Sequence, residues 1–300
     1  MVTTAAQTAK PATVVKPRRK PRIQNGYAWL LLTPGLLSVL LLAVWPMVLV
    51  GRNSFATSDQ YGAVTGGFTF ESYLALFDPV YAKTMGYSLG IAAINTVLCL
   101  IIGYIVSNYI VAQSPQRQSL LLLLLIVPFW TDFLVRTFAW ITLLGNGGPI
   151  LWFAHLLGIP LDPLVPSQTA VMLALIYAFL PTAVFPIYAS MRGIDPSLKE
   201  AATDLGCGWW QTHARVIAPL STPGIIGAAL LTFVPTLGVF VIPVLLGGGK
   251  ELLVGNLIVT LYTEFRNQPM GAALSMVLLV LMLLSIAIGA LLLKARKRSA

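Results

Sequence analysis

Residues 200–220 read EAATDLGCGWWQTHARVIAPL, a mixed polar stretch between long apolar runs, and that contrast decides the fold. Of 300 residues, 57% are hydrophobic and only 10% charged, with a mean hydropathy of +0.83. A soluble domain carries about a quarter charged residues, so the chain is expected to live in a bilayer. About 20 apolar residues cross roughly 30 Å of hydrocarbon at about 1.5 Å per residue. Six runs qualify, near 28–50, 87–112, 118–137, 169–190, 223–246 and 268–293, and no large soluble domain fits beside them.

The formal net charge of +9 is distributed as topology. With the N-terminus inside, the inner segments hold Lys10, Lys16, Arg18, Arg19, Lys20, Arg22, Arg117, Arg192, Lys199, Arg215, Lys294, Arg296, Lys297 and Arg298. That is 14 of the 19 basic residues, while seven of the ten acids fall outside. Both termini are therefore expected in the cytoplasm, and the basicity implies a membrane and no nucleic acid. Residues 1–26 read as a disordered basic cytoplasmic tail and 294–300 as a second basic tail, flanking a six-span region at 27–293. A cleaved signal peptide competes for the first run. That run is too long for such a segment and its end, WPMVLVGRNSF, lacks a small-x-small site, so it reads as an anchor. Cys99 and Cys207 lack metal or redox spacing and read as structural. The outer segments 51–86 and 138–168 are expected to form short surface or re-entrant helices. Prolines within or near the spans, including Pro46, Pro128, Pro181 and Pro235, are expected kink sites.

By this topology residues 191–222 are the largest inner loop. Asp195 before Pro196 makes a helix start, with Ser197 and Glu200 as an alternative capping box. Leu198, Ala201, Ala202, Leu205 and Trp209 recur at helical spacing, which gives a short helix an apolar stripe containing two alanines. Gly206 and Gly208 are expected to bend it, and a second short helix leads into Pro219 and Pro223. Such a small-residue face suits close docking into another protein's groove, or the loop lies on the bilayer surface. The spacing alone leaves both open.

The order Glu200, Ala201, Ala202, then Gly206, then Val216, Ile217 and Pro219 resembles the EAA loop of bacterial binding-protein-dependent ABC transporter permeases, with Ala218 where that family usually has leucine. The stretches PFWTDFLVRTFAWITLLGNGGPI (128–150), LLGGGKELLVGNLI (245–258) and QPMGAALS (268–275) resemble the spermidine/putrescine importer type within it. The resemblance implies an all-α integral membrane protein with six transmembrane helices and a cytoplasmic coupling-helix loop, whose residues are Glu200, Ala201, Ala202, Leu205, Gly206 and Pro219. It also implies two ATP-binding subunits, a second permease subunit, an external solute-binding protein and the bacterial inner membrane as location. ATP and Mg would be bound by the partner ATPase, with no cofactor in this chain.

The residues agree that the chain is no ATPase. In LLGGGKE, Val244 stands where a phosphate loop needs its first glycine and Glu251 where Ser or Thr must follow the lysine. His155 and His213 read as isolated loop residues without ligand spacing, so no metal site is expected. Asp132 and Arg136, one turn apart near the outer end of the third span, form either an i, i+4 ion pair or a charged part of a solute path beside Trp130, with Glu264 a further path candidate. Asn95 and Tyr104 either line a cavity or bond a neighbouring helix. An ion-coupled secondary transporter and a non-transporting membrane scaffold are the competing functions.

Overall fold

The computed structural model describes residues 25–59, 62, 64–160, 162–249 and 252–299. It divides into two units, residues 1–48 and 49–300, each taken by itself. The expected tail at 1–24 lies outside the described residues, and Asn25 already begins a helix. That helix, α1 (Asn25–Val39), passes through a π-helical turn (Leu40–Val44) into α2 (Trp45–Asn53). The turn has a local cause. Proline has no N–H and its ring collides with the carbonyl four residues back, and Pro46 follows a turn in which Trp45 N–H bonds to Leu40 O, five back.

In the second unit, α2 leads to an antiparallel hairpin, β1 (Ala56–Ser58) with β2 (Val64–Phe68). The sequence reading expected helices here. What favours the hairpin is an aromatic cluster: Phe55 stacks on Phe68 at 5.3 Å, and both meet Phe70 edge-on. After α3 (Glu71–Ala75) comes α4 (Pro79–Val111), whose 33 residues span about 50 Å. It starts eight residues before the expected span because Asp78 caps it, accepting from Val80 N–H at 3.0 Å, and Pro79 fits the first turn.

The expected third span is corrected: residues 118–137 are not one helix. The chain runs α5 (Pro115–Ile126), a 3-10 turn (Val127–Trp130), α6 (Phe133–Leu144) and α7 (Pro149–Leu156), with a bend of 92° between residues 130 and 133. Pro128 disrupts the ladder and Asp132 begins a new helix. Then follow α8 (Gln168–Arg192), α9 (Pro196–Asp204) and α10 (Trp209–Thr212). A π turn (His213–Ile217) joins α10 to α11 (Ala218–Gly238). Residues 209–238 are thus one helix, so the second short helix of the loop is no separate element and His213 is helical, not in a loop. Again the π turn sits just ahead of a proline, Pro219, and Ala218 N–H bonds to His213 O. The expected fifth span, 223–246, is also corrected. α11 stops at Gly238, and α12 (Val241–Gly247) and α13 (Val254–Thr263) are separate short helices before α14 (Gln268–Ser299). The basic segment from Lys294 continues α14 to Ser299. Among the described residues five helices are long and apolar enough to cross a membrane, or six with the bent pair as one span.

α4, α8 and α11 form the centre, with α14 against α11 and α13. Lipid gives helices no hydrophobic reason to associate, so close packing and buried polar contacts hold them. Gly224 lets α11 approach the backbone of α8 at Pro186, and Gly103 does the same for α4 opposite Ala183. Asn95 donates to Thr236 Oγ1 at 3.0 Å, Ser107 to Val184 O at 3.0 Å, and Ser88 Oγ accepts from Val254 N–H at 2.8 Å. Asn95 thus bonds a neighbouring helix.

Candidate functional site: the loop between α8 and α11

α8 ends at Arg192, and Asp195 starts α9, its carboxylate accepting Ser197 N–H at 3.0 Å. That hydrogen bond holds the carboxyl below its ordinary value, so the cap stays charged at neutral pH. At the other end Gly206 takes φ +83°, a left-handed conformation that glycine adopts at little cost. Gly206 N–H bonds to Thr203 O at 2.9 Å and Cys207 N–H to Ala202 O at 3.0 Å, the paired bonds of a Schellman stop. Gly208 N–H is held by Gln211 Oε1 at 3.2 Å, which begins α10. α9 is therefore stopped at both ends by local sequence and does not need neighbours to fix its length.

The periodic stripe divides in use. Ala202 is 7% exposed and turns inward, whereas Leu198, Ala201, Trp209, Leu205 (85%) and Trp210 (78%) are exposed. Glu200 is exposed too, and among the described residues its carboxylate takes part in no hydrogen bond or ion pair within the chain. Pro219 is half-buried near the root of the loop. The structure thus brings Glu200, Ala201, Leu205 and Gly206 onto one small exposed element, with Ala202 as its inward contact and Pro219 further along.

His213, in the π turn, is where sequence reasoning fell short. It is 4% exposed, its Nδ1 lies 3.0 Å from the Tyr104 hydroxyl on α4, and the Trp209 ring sits 4.3 Å from its own. Its Nε2 is buried and, among the described residues, without a partner. Pro219 was a partial signal: here, as at Pro46, the proline is absorbed by a π turn just before it, which keeps the preceding residues helical, whereas Pro181, Pro186 and Pro235 have no such turn.

The other candidates do not assemble into one site. Asp132 is the N-cap of α6, accepting Leu134 N–H at 2.8 Å. Among the described residues no ion pair joins it to Arg136, whose guanidinium lies 4.7 Å from the centre of the Phe129 ring while its Nε is buried and unpartnered. Phe129 in turn stacks on Tyr177, which Trp140 meets edge-on. The ion-pair reading of the sequence gives way to a cap and a cation-π contact. Trp130 is 78% exposed, and Glu264 is exposed at the end of α13. Among the described residues no group of three His, Cys, Asp or Glu side chains could hold a metal.

Comparison with known proteins agrees with this architecture. Residues 125–298 match the family described as binding-protein-dependent transport system inner membrane component. The chain is 38% identical over 239 residues to the spermidine/putrescine transport system permease protein PotB of Escherichia coli K12, covering 79% of this chain and 87% of that protein. It is 39% identical over 243 residues to PotB of Haemophilus influenzae, covering 80% and 85%. Among solved structures, a chain of a bacterial alginate ABC transporter in complex with a pentasaccharide-bound periplasmic protein matches with a TM-score of 0.74 at 15% identity, covering 88% of this chain and 93% of that one. A chain of the MetNI methionine ABC transporter matches at 0.52 and 17%, covering 75% and 98%. At these identities the structures speak for the fold alone.

Proposed function

Because this chain belongs to the family of binding-protein-dependent transport system inner membrane components and is a permease subunit of an ABC importer, we propose that it carries polyamines of the putrescine and spermidine kind and takes its drive from a separate ATPase through the exposed helix α9. The observation that carries the solute is the identity of 38% over 239 residues to permeases named for spermidine and putrescine. For the drive, the support is a short helix fixed by its own caps, with Leu198, Ala201, Leu205 and Trp210 turned outward around an unpartnered Glu200.

In this reading two ATPase subunits bind ATP and Mg, a second permease completes the membrane unit, and an external binding protein delivers the solute. Both termini lie in the cytoplasm of a bacterium, which puts α9 on the inner side. ATP binding closes the ATPase pair, α9 moves with the groove that holds it, and the spans turn an inward-facing cavity outward to receive solute. Hydrolysis resets the complex. Along the path, exposed Trp130 and Asp132 are placed to meet an ammonium group, by ring face and carboxylate respectively. Arg136, whose guanidinium lies over the Phe129 ring, and exposed Glu264 at the end of α13 are the further charged residues we assign to the path.

The test is uptake of labelled putrescine and spermidine into cells expressing the complete importer, with γ-aminobutyrate and other small organic solutes as competitors. Saturable polyamine uptake that γ-aminobutyrate leaves untouched is expected. Saturable uptake of another solute, with polyamines ignored, would overturn the substrate assignment and leave the ATP-driven importer standing.

A further inference from the structure

The loop around α9 must be joined mechanically to the spans, and the described contacts offer a specific joint. His213 sits in the π turn between α10 and α11, 4% exposed, three residues beyond the exposed Trp210. One face of its ring meets Trp209 at 4.3 Å, on the loop side. Its Nδ1 meets the Tyr104 hydroxyl at 3.0 Å, on α4, and the two rings lie edge to face at 6.0 Å. A π turn is a poor place for an arbitrary side chain. It is held here by the proline that follows, and it turns the residues before it by about one position relative to a regular helix.

We propose that Tyr104 and His213 are positioning residues for coupling: their hydrogen bond makes α4 follow the loop, so that displacement of α9 reaches the second long span as well as the helix to which the loop is covalently joined. The inference rests on the reading that α9 meets the ATPase. α11 continues from α10 without a break and will follow the loop in any case. α4 packs along α11 and α8 and is bonded to α11 higher up by Asn95 and Thr236, but at the loop end of α11 the polar contact that joins it to the π turn is Tyr104–His213.

The Tyr104–His213 contact is polar and directional, between a half-buried hydroxyl and a buried imidazole, whereas apolar neighbours can slide past one another. The unpartnered Nε2 fits this role. A buried imidazole with one nitrogen unsatisfied is held in a position it would not choose by solvation alone, and leaving such a group unpaired is costly. Its retention is explained if the ring is fixed by what its other nitrogen must hold.

The experiment uses the complete importer, with its ATPase, second permease and solute-binding protein, in proteoliposomes. ATP hydrolysis and labelled putrescine uptake are measured in the same vesicles for wild type, Tyr104→Phe, His213→Leu, His213→Asn and the double variant Tyr104→Phe/His213→Leu, with assembled complex quantified for each. Tyr104→Phe removes only the hydroxyl, and basal ATP hydrolysis is expected to stay within about twofold. Putrescine carried per ATP is expected to fall about fivefold, the factor for losing one hydrogen bond of about 1 kcal/mol. His213→Asn keeps a polar atom near the Nδ1 position and should recover part of the ratio, while the double variant should be no worse than either single one.

An unchanged ratio in Tyr104→Phe, or losses in every variant that only track the amount of assembled complex, would overturn the joint. Glu200→Arg is run alongside. If it abolishes uptake while Tyr104→Phe is silent, the joint fails and the coupling reading survives; if Glu200→Arg is silent, both fail. Should wild type carry no putrescine, the polyamine assignment fails, and the joint is read from stimulation of ATP hydrolysis by the solute-binding protein. Tyr104→Phe must then lose that stimulation at normal basal hydrolysis, and retained stimulation overturns it.

Discussion

Replacing Gly224 by alanine tests the packing at the centre of the subunit. A β-carbon there would lie 2.5 Å from Ser190 Cβ and closer still to Pro186 O, both on α8. Carbon atoms pack at about 3.5–4.0 Å, so α8 and α11 must part by roughly 1 Å or the side chain must be accommodated by backbone movement. One obstacle is a backbone carbonyl, which cannot rotate away as a flexible side chain would. Overpacking of this kind costs about 1–3 kcal/mol, and 2 kcal/mol is roughly 30-fold in the ratio of native to non-native packing. Gly90→Ala on α4 is the control, because nothing lies within 4 Å of its added carbon. There alanine gains up to about 1 kcal/mol of helix propensity. Thermal unfolding of the purified, detergent-solubilised subunit should show Gly224→Ala several degrees below wild type and Gly90→Ala at or above it. Equal midpoints for the two variants would refute the close crossing of α8 and α11.

Gly206→Ala should loosen the end of α9. Its φ of +83° strains any β-carbon, while nothing lies within 4 Å to add a steric cost. A penalty of about 1 kcal/mol predicts roughly fivefold faster proteolysis of the loop, with Gly206→Asn closer to wild type because asparagine tolerates that conformation; equal rates for all three would contradict the turn. Asp132→Asn keeps a capping side chain and should leave stability unchanged, whereas Asp132→Ala should lose about 1 kcal/mol, read by thermal unfolding. A drop in putrescine uptake with Asp132→Asn at unchanged stability marks the charge as part of the path, and unchanged uptake confines Asp132 to capping. For the bond from Asn95 to Thr236, a double-mutant cycle with Asn95→Leu and Thr236→Val should return a coupling of about 0.6 kcal/mol. A coupling near zero would show that the pair does not bond.

Much of the fold is legible in the sequence because lipid imposes one-dimensional rules. Long apolar runs announced α4, α8, α11 and α14, though not all their ends, and Asp195-Pro196 announced the start of α9. What stayed hidden depended on contacts between distant residues or on how a proline is absorbed. Pro46 was expected to kink its helix and Pro219 to follow a second short helix of the loop, and each is accommodated by a π turn that keeps the helix running. Pro128 does interrupt its helix, because a turn with a new cap at Asp132 lies just beyond it. Hydropathy alone does not tell these outcomes apart. The hairpin at 56–68 rests on rings brought together from Phe55, Phe68 and Phe70, too short a pattern to outweigh the surrounding apolar bias. In the candidate site, the periodicity gave the stripe on α9 but not its division into inward Ala202 and outward Leu205, which depends on where α9 meets the chain behind it. His213 was missed because its partner Tyr104 is 109 residues away.

The central claim is that α9 is the point at which ATP hydrolysis drives this permease. Its most direct measurement is ATP-dependent uptake of labelled putrescine into proteoliposomes holding the complete importer, wild type against Glu200→Arg, with equal amounts of assembled complex. The Glu200 carboxylate is exposed and unpartnered within the described chain, so the substitution breaks no hydrogen bond or ion pair inside it. Loss of uptake with the permease inserted at normal levels is the result the account requires. Uptake at the wild-type rate in Glu200→Arg would contradict it.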